Sequence, residues 1–218
     1  MNTSLGRPRL RLGWQPEWYA NQPSSHHGPR IALIHGLMAG KHMQRHLLWQ
    51  VREWGYADSS LFANHARAQT IADHLEVAAQ QGRPIVLMGY SQGGFLAVKV
   101  ARLLATRGVT VQLLVTIAAG GLGRIYPAQW GADPRTIPAN VQRVLNIFSA
   151  ADRLGGDLQW RANFAQSTHG HTQIDNIGFA AKEAVDHLSI ARCGPAERVH
   201  PAVKVRFLDR LALELAAL

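Results

Sequence analysis

"PIVLMGYSQGG", residues 84–94, joins an apolar run to a serine set among glycines. The run 84–88 has the look of a strand buried on both faces. The stretch that follows, "GGFLAVKVARLLATRG" (93–108), reads as a helix stopped by Gly108. Between them Ser91 stands in a Gly-x-Ser-x-Gly frame made by Gly89 and Gly93, with Gly94 behind. A serine hydroxyl is a poor nucleophile until a base takes its proton, and it must project clear of a sheet to reach a carbonyl. A tight strand-to-helix turn achieves this, at the cost of a strained serine backbone and a close strand–helix approach. Side chains two before and two after the serine would collide there. The helix that begins near Gln92 also aims free N–H groups at the place where negative charge would develop. The five-residue frame is common by chance; its position between a strand and a helix gives it weight.

Outward from this turn the same alternation repeats. "IALI" (31–34) reads as a strand, 42–54 as a helix, and "SSLFANH" (59–65) as a short strand. Residues 67–81 carry Ile71, Leu75 and Ala78 at helical spacing and stop at Gly82. "VQLLVTIA" (111–118) and "VQRVLNIF" (141–148) are strands, separated by a Gly- and Pro-rich loop over 119–140. The segment 158–186 gives no clear pattern. Residues 200–218 close the chain with a helix whose Val203, Phe207, Leu211 and Leu215 fall four apart. Apolar strands alternating with helices predict an α/β fold, a mostly parallel central sheet with helices on both faces. Ligands bind such sheets at the carboxyl ends of the strands. Three loops there carry reactive residues: "HGLMAG" (35–40), "GYSQGG" (89–94) and "SAADRLGGD" (149–157). Residues 1–29, with four prolines, read as an extension in which "RLRLGW" (9–14) adds an edge strand; 30–218 read as one domain.

Composition narrows the classes. The 218 residues are 47% hydrophobic and 17% charged, which argues against global disorder. No apolar run approaches the roughly 20 residues of a membrane span, and the N-terminus shows no secretory h-region, so a cytoplasmic protein is the default expectation. A single cysteine, Cys193, rules out an internal disulfide. The net charge is +9, but it is dispersed; with no zinc-finger spacing and no aromatic RNA-binding motif, nucleic acid is not an expected partner. Arg7, Arg9 and Arg11 beside Trp14 and Trp18 are candidates for peripheral contact with an anionic membrane, against the alternative that they pack an added strand.

"HGLMAG", "GYSQGG", the strand with its aspartate "NIFSAAD" (146–152) and a late histidine resemble the α/β-hydrolases, of the small lipase/esterase type with a reduced cap. The resemblance spans residues 30 to 218. It implies a serine, acid and histidine in that chain order. Ser91 is then the nucleophile, Asp152 the acid and His187, in "EAVDHLSIA" (183–191), the base. Asp157 is the rival acid and Asp133 a weaker one; His171, His169 and His200 are the other histidines in range. By the same resemblance the oxyanion hole uses the backbone N–H groups of Gln92 and Leu37, with His35 structural. His169, His171 and Asp175 have metal-like spacing, weak on its own; no metal or organic cofactor is expected. Ile125, Tyr126, Trp130 and Ile137 are candidates for a small lid. The implied activity is hydrolysis of a small or lipid-like carboxylic ester, with acyl-thioester hydrolysis or acyl transfer as the alternative and a non-catalytic binding protein as a third reading.

Overall fold

The structure is a computed structural model that describes residues 28–127, 133–167 and 169–218. The expected strand over 9–14, the Arg/Trp membrane contact and Trp130 lie outside the described residues.

Six strands form one sheet: β1 (Arg30–Ile34), β2 (Ser59–Phe62), β3 (Ile85–Tyr90), β4 (Val111–Ile117), β5 (Val141–Ser149) and β6 (Gln173–Phe179). Their order is β2-β1-β3-β4-β5-β6, and every pairing is parallel. Side chains on a strand alternate between faces, and β1 shows what each face meets. Ile31 and Leu33 join a core with Met43, Leu47 and Val51 from the helical stretch 40–53, and with Phe207 and Leu211 from the closing helical stretch 201–216. Ala32 and Ile34 join the other core, with Ile71 and Leu75 from the helix Ala68–Gln80 and Leu96 and Val100 from the helix Gln92–Thr106. Helices thus cover both faces, which is why β1 and β3 are apolar and buried along their whole length. Among the described residues no helix is long and apolar enough to cross a membrane.

β6 is the strand that the sequence pattern does not reveal. It pairs only with β5, at the edge of the sheet, and is mostly half-buried. Its polar side chains are matched by neighbours instead of forming an apolar run. Asp175 pairs with Arg143 at 2.7 Å and Arg210 at 3.1 Å, and Asn176 accepts from Asn146 Nδ2 at 2.7 Å. The loop 119–140 also differs in part from expectation. Ile137 is buried in the core beside Val141 and Val144, so it is not part of a lid. Ile125, at the end of the 3-10 turn Gly121–Ile125, is exposed.

In the closing helix Val203, Phe207, Leu211 and Leu215 are all buried. An α-helix turns about 100° per residue, so residues four apart drift by about 40° each step. The segment Lys204–Leu208 is a π turn between the α-helical Pro201–Val203 and Asp209–Ala216. Its wider i→i+5 turn rotates less per residue and takes the drift back. The four side chains therefore stay on one face.

Candidate active site

Ser91 follows the last residue of β3 and precedes the helix Gln92–Thr106. Its backbone is at φ 55°, ψ −125°, a conformation that costs a non-glycine residue about 1–3 kcal/mol. Surrounding bonds hold it there: Ser91 N–H donates to Ile117 O at 2.8 Å, and Gly94 N–H to Ser91 O at 3.0 Å. The glycines allow the crossing. A Cβ on Gly93 would collide with the Ile34 carbonyl of β1, and one on Gly89 would lie 2.5 Å from Gly93 O and from Gly94 Cα. The same test locates the loop after β1: a Cβ on Gly36 would lie 2.6 Å from Ser91 Cβ. "HGLMAG" therefore packs directly against the serine.

His187 and Asp152 meet Ser91 in one line. Asp152 follows β5 and is 3% exposed. Its Oδ1 accepts from the N–H groups of Leu154 at 3.0 Å and Gly155 at 2.9 Å, and its Oδ2 contacts His187 Nδ1 at 2.7 Å. A carboxylate can only accept, so the Nδ1 proton is donated to Asp152 and Nε2 is left with its lone pair. That lone pair faces Ser91 Oγ at 3.1 Å and accepts its proton. The chain order is serine, aspartate, histidine, and each comes from a different connection at the carboxyl end of the sheet.

The other candidates are elsewhere. Asp157 pairs with Arg124 at 2.9 Å and with the buried Arg135 at 3.6 Å, and accepts from Gly121 N–H at 3.1 Å. Burial would raise its carboxyl, but Arg124, Gly121 and Arg135 outweigh this and hold it below the usual range. Burial in turn lowers Arg135 to about 10. Asp133 bonds Thr136 Oγ1 and Arg135 N–H within its own loop. His171 Nε2 donates to Ala139 O at 2.8 Å, and His200 caps the closing helix by accepting from Ala202 N–H. Asp175 is held by arginines, and no group of three metal-ligating side chains exists among the described residues. His35 is buried and donates from Nδ1 to Gly36 O at 2.7 Å, which supports the loop against Ser91.

The two backbone donors named for an oxyanion flank the serine. Gln92 is the first helical residue, so its N–H has no acceptor within the helix. Its side chain is turned away, accepting from Asn64 Nδ2 at 2.6 Å. Leu37 follows Gly36 in the loop that touches Ser91.

Several residues that shape the site are absent from the sequence reading. Ser149 Oγ donates to Val185 O at 2.6 Å. The Asp186 carboxylate accepts from the N–H groups of Leu188 and Ser189, at 3.0 and 2.7 Å, and the Ser189 N–H bond leads the effects that hold its carboxyl below the usual range. Together they shape the loop that carries His187. Asp186 has a local signal, an aspartate two residues before the N–H it caps. Ser149 lies 36 residues from its partner and has none.

A family model described as a thioesterase domain matches residues 55–121, which include Ser91 and its flanking strand and glycines. No curated protein sequence matches the chain. Among solved structures, a hyperthermophilic esterase from the archaeon Pyrobaculum calidifontis superposes with a TM-score of 0.51 at 15% identity, over 88% of this chain and 78% of that one. RedJ, a thioesterase of the prodiginine pathway of Streptomyces coelicolor, gives 0.49 at 13% identity, over 91% and 98%. The mouse alpha/beta hydrolase domain-containing protein 10 gives 0.48 at 15%, over 85% and 90%. At these identities the esterase superposition speaks to fold alone.

Proposed function

We propose that this chain, an α/β-hydrolase by fold, is a serine hydrolase that cleaves acyl esters through an acyl-enzyme on Ser91. The observation that carries the reading is the continuous line from Ser91 Oγ through His187 to the buried Asp152, with contacts of 3.1 and 2.7 Å. His187 Nε2 takes the Ser91 proton as Oγ bonds to the acyl carbon. Asp152 holds the tautomer that makes this transfer feasible and stabilises the imidazolium. The Gln92 and Leu37 N–H groups serve the oxyanion. The intermediate collapses as the bond to the leaving oxygen or sulfur breaks, and His187 returns the proton to that atom. Water then repeats the sequence at the acyl-serine, and the acid departs. No metal enters these steps.

An acyl substrate is supported by the apolar side chains left in solvent beside the reactive groups. Leu37 and Met38 follow Gly36, Leu154 follows Asp152, Leu188 follows His187, and Leu122 and Ile125 follow β4; all are at least half exposed. Contact with an acyl chain would remove this surface from water, worth about 25 cal/mol per Å². Oxygen esters and thioesters share the same tetrahedral chemistry. The thioesterase-domain match around Ser91 favours the thioester as second reading.

A fluorophosphonate probe tests the nucleophile: wild-type protein is labelled and Ser91→Ala is not. Oxygen and thio esters of matched acyl length then rank the leaving groups. A folded wild-type protein that is neither labelled nor active on either series refutes the proposal.

A further inference from the structure

We propose that Tyr90 and His42 are positioning residues that fix the base by gripping the main-chain carbonyls of His187 and Leu188. The inference rests on His187 as the base of the proposed reaction. Asp152 orients the imidazole ring through Nδ1, but where the ring sits depends on its Cα, and His187 lies in a connection with little regular structure between β6 and the closing helix. Ser149 holds the entrance to this connection at Val185, and Asp186 turns it. Its exit is held by two side chains from distant elements.

Tyr90 ends β3, one residue before Ser91, and is fully buried. Its hydroxyl donates to the His187 carbonyl at 2.6 Å, and its ring centroid lies 5.0 Å from the imidazole with a 34° tilt. Burial raises the phenol well above its ordinary value, with Asp152 and Asp186 adding to the effect, so the donor stays protonated. His42 comes from the helical stretch after β1. Its Nε2 lies 3.1 Å from the Leu188 carbonyl, and because a carbonyl can only accept, the proton is on Nε2. The His42 ring also sits 5.9 Å from the Tyr90 ring and 4.4 Å from that of His46. His46 is fixed in turn, its Nδ1 accepting from Gly194 N–H at 2.7 Å. Two consecutive carbonyls at the base are thus tied to the strand that delivers the nucleophile and to the helix behind the Gly36 loop. Serine, base and the loop that touches the serine become one framework. A reacting geometry displaced by about 1 Å loses on the order of 10²-fold in rate, which gives this framework kinetic weight.

The test compares Tyr90→Phe, which keeps the ring and removes the donor, with His42→Leu, which removes the donor, and His42→Gln, whose side-chain amide can replace it. Each single loss of a donor is expected to lower kcat about tenfold with KM unchanged, and the double variant Tyr90→Phe/His42→Leu by about 10²-fold or more. His42→Gln recovers most of the loss seen in His42→Leu. A second readout is independent of turnover: the low-field proton NMR signal of His187 Nδ1–H, identified by its disappearance in His187→Gln. In the double variant this signal broadens or vanishes through faster exchange with water. Folded variants that keep wild-type kcat, or a double variant whose Nδ1 proton exchanges as in wild type, overturn the inference. If the wild type turns over no acyl substrate, the proposed function falls, and the NMR comparison still decides whether these two side chains position His187.

Discussion

Replacing Asp152 by asparagine removes one charge and changes almost no volume, so it isolates what the carboxylate does. Oδ1 accepts two backbone N–H groups, from Leu154 and Gly155, and Oδ2 accepts the His187 Nδ1 proton. Asparagine has one acceptor oxygen and one donor nitrogen. With its oxygen on the two backbone donors, its NH₂ faces Nδ1 and drives the imidazole proton to Nε2. The imidazole then donates to Ser91 Oγ and cannot act as its base. Turning the amide over restores the correct tautomer, but it sets two backbone N–H groups against an NH₂, at about 1–3 kcal/mol for each unsatisfied buried donor. The first orientation is therefore favoured. The expected loss is about 10³–10⁴-fold in kcat, or roughly 4–5.5 kcal/mol at 1.36 kcal/mol per decade. Because the asparagine still accepts both backbone bonds, thermal stability changes little. Steady-state kinetics on a chromogenic ester, beside a thermal melt of each protein, reads both quantities. A folded Asp152→Asn protein within tenfold of wild type, or an Asp157→Asn protein showing the larger kinetic loss, would refute the reasoning.

Gly93→Ala places a methyl group against the Ile34 carbonyl, between two backbones that cannot both yield, and is expected to lower stability by about 1–3 kcal/mol or more in urea denaturation. Arg135→Met strips Asp157, Asn146 and Asn163 of a buried partner and is expected to cost about 3–5 kcal/mol, whereas Arg124→Met, at the half-exposed end of the same cluster, costs about 1 kcal/mol or less; equal losses would mean that burial does not govern the pair. His42 is held down to about 4 by burial, with His46 and Arg192 opposing its charge and the Leu188 carbonyl and Glu197 favouring it. Its folded value lies below the unfolded value of about 6.5, so its neutral form stabilises the fold fully above pH 6.5, and that contribution is lost as pH falls from about 6.5 to 4. Melting curves across this window should show a shallower acid decline in His42→Gln than in wild type. Ester cleavage should be unaffected by a metal chelator; activity lost to the chelator and restored by a divalent ion would contradict the mechanism.

What could be read from the chain follows from how far each signal extends. The turn around Ser91 is legible because strand, serine and helix are contiguous, and the glycines report contacts that the structure shows at Gly89 and Gly93. Asp152 and His187 could be nominated only by chain order and resemblance, and the structure brings both to Ser91 while leaving Asp157, Asp133, His171 and His200 in other bonds. β6 escaped because an edge strand matched by Arg143 and Asn146 needs no apolar run. Ile137 was misplaced because a Gly- and Pro-rich context says nothing about which of its residues turns inward. The grip of His42 on Leu188 spans 146 residues of chain, beyond the reach of any local pattern.

The π turn at Lys204–Leu208 makes the closing helix sensitive to length in a way that substitutions would not reveal. Such a turn accommodates one residue more than the α-helical path around it. A single-residue deletion within it would leave every remaining side chain unchanged in kind but would rotate the outgoing segment by about 100° relative to the incoming one. Leu211 and Leu215 would leave the core, and the charged residues beside them, Arg210 and Glu214, would be swung towards other surroundings, breaking their pairs with Asp175 and Arg143 at the sheet edge. In this helix the tolerated unit of change is the amino-acid identity, while the residue count between Val203 and Leu211 is fixed by geometry. A library of single deletions should therefore mark this short span as intolerant even where each exposed position within it, such as Val205, accepts replacement.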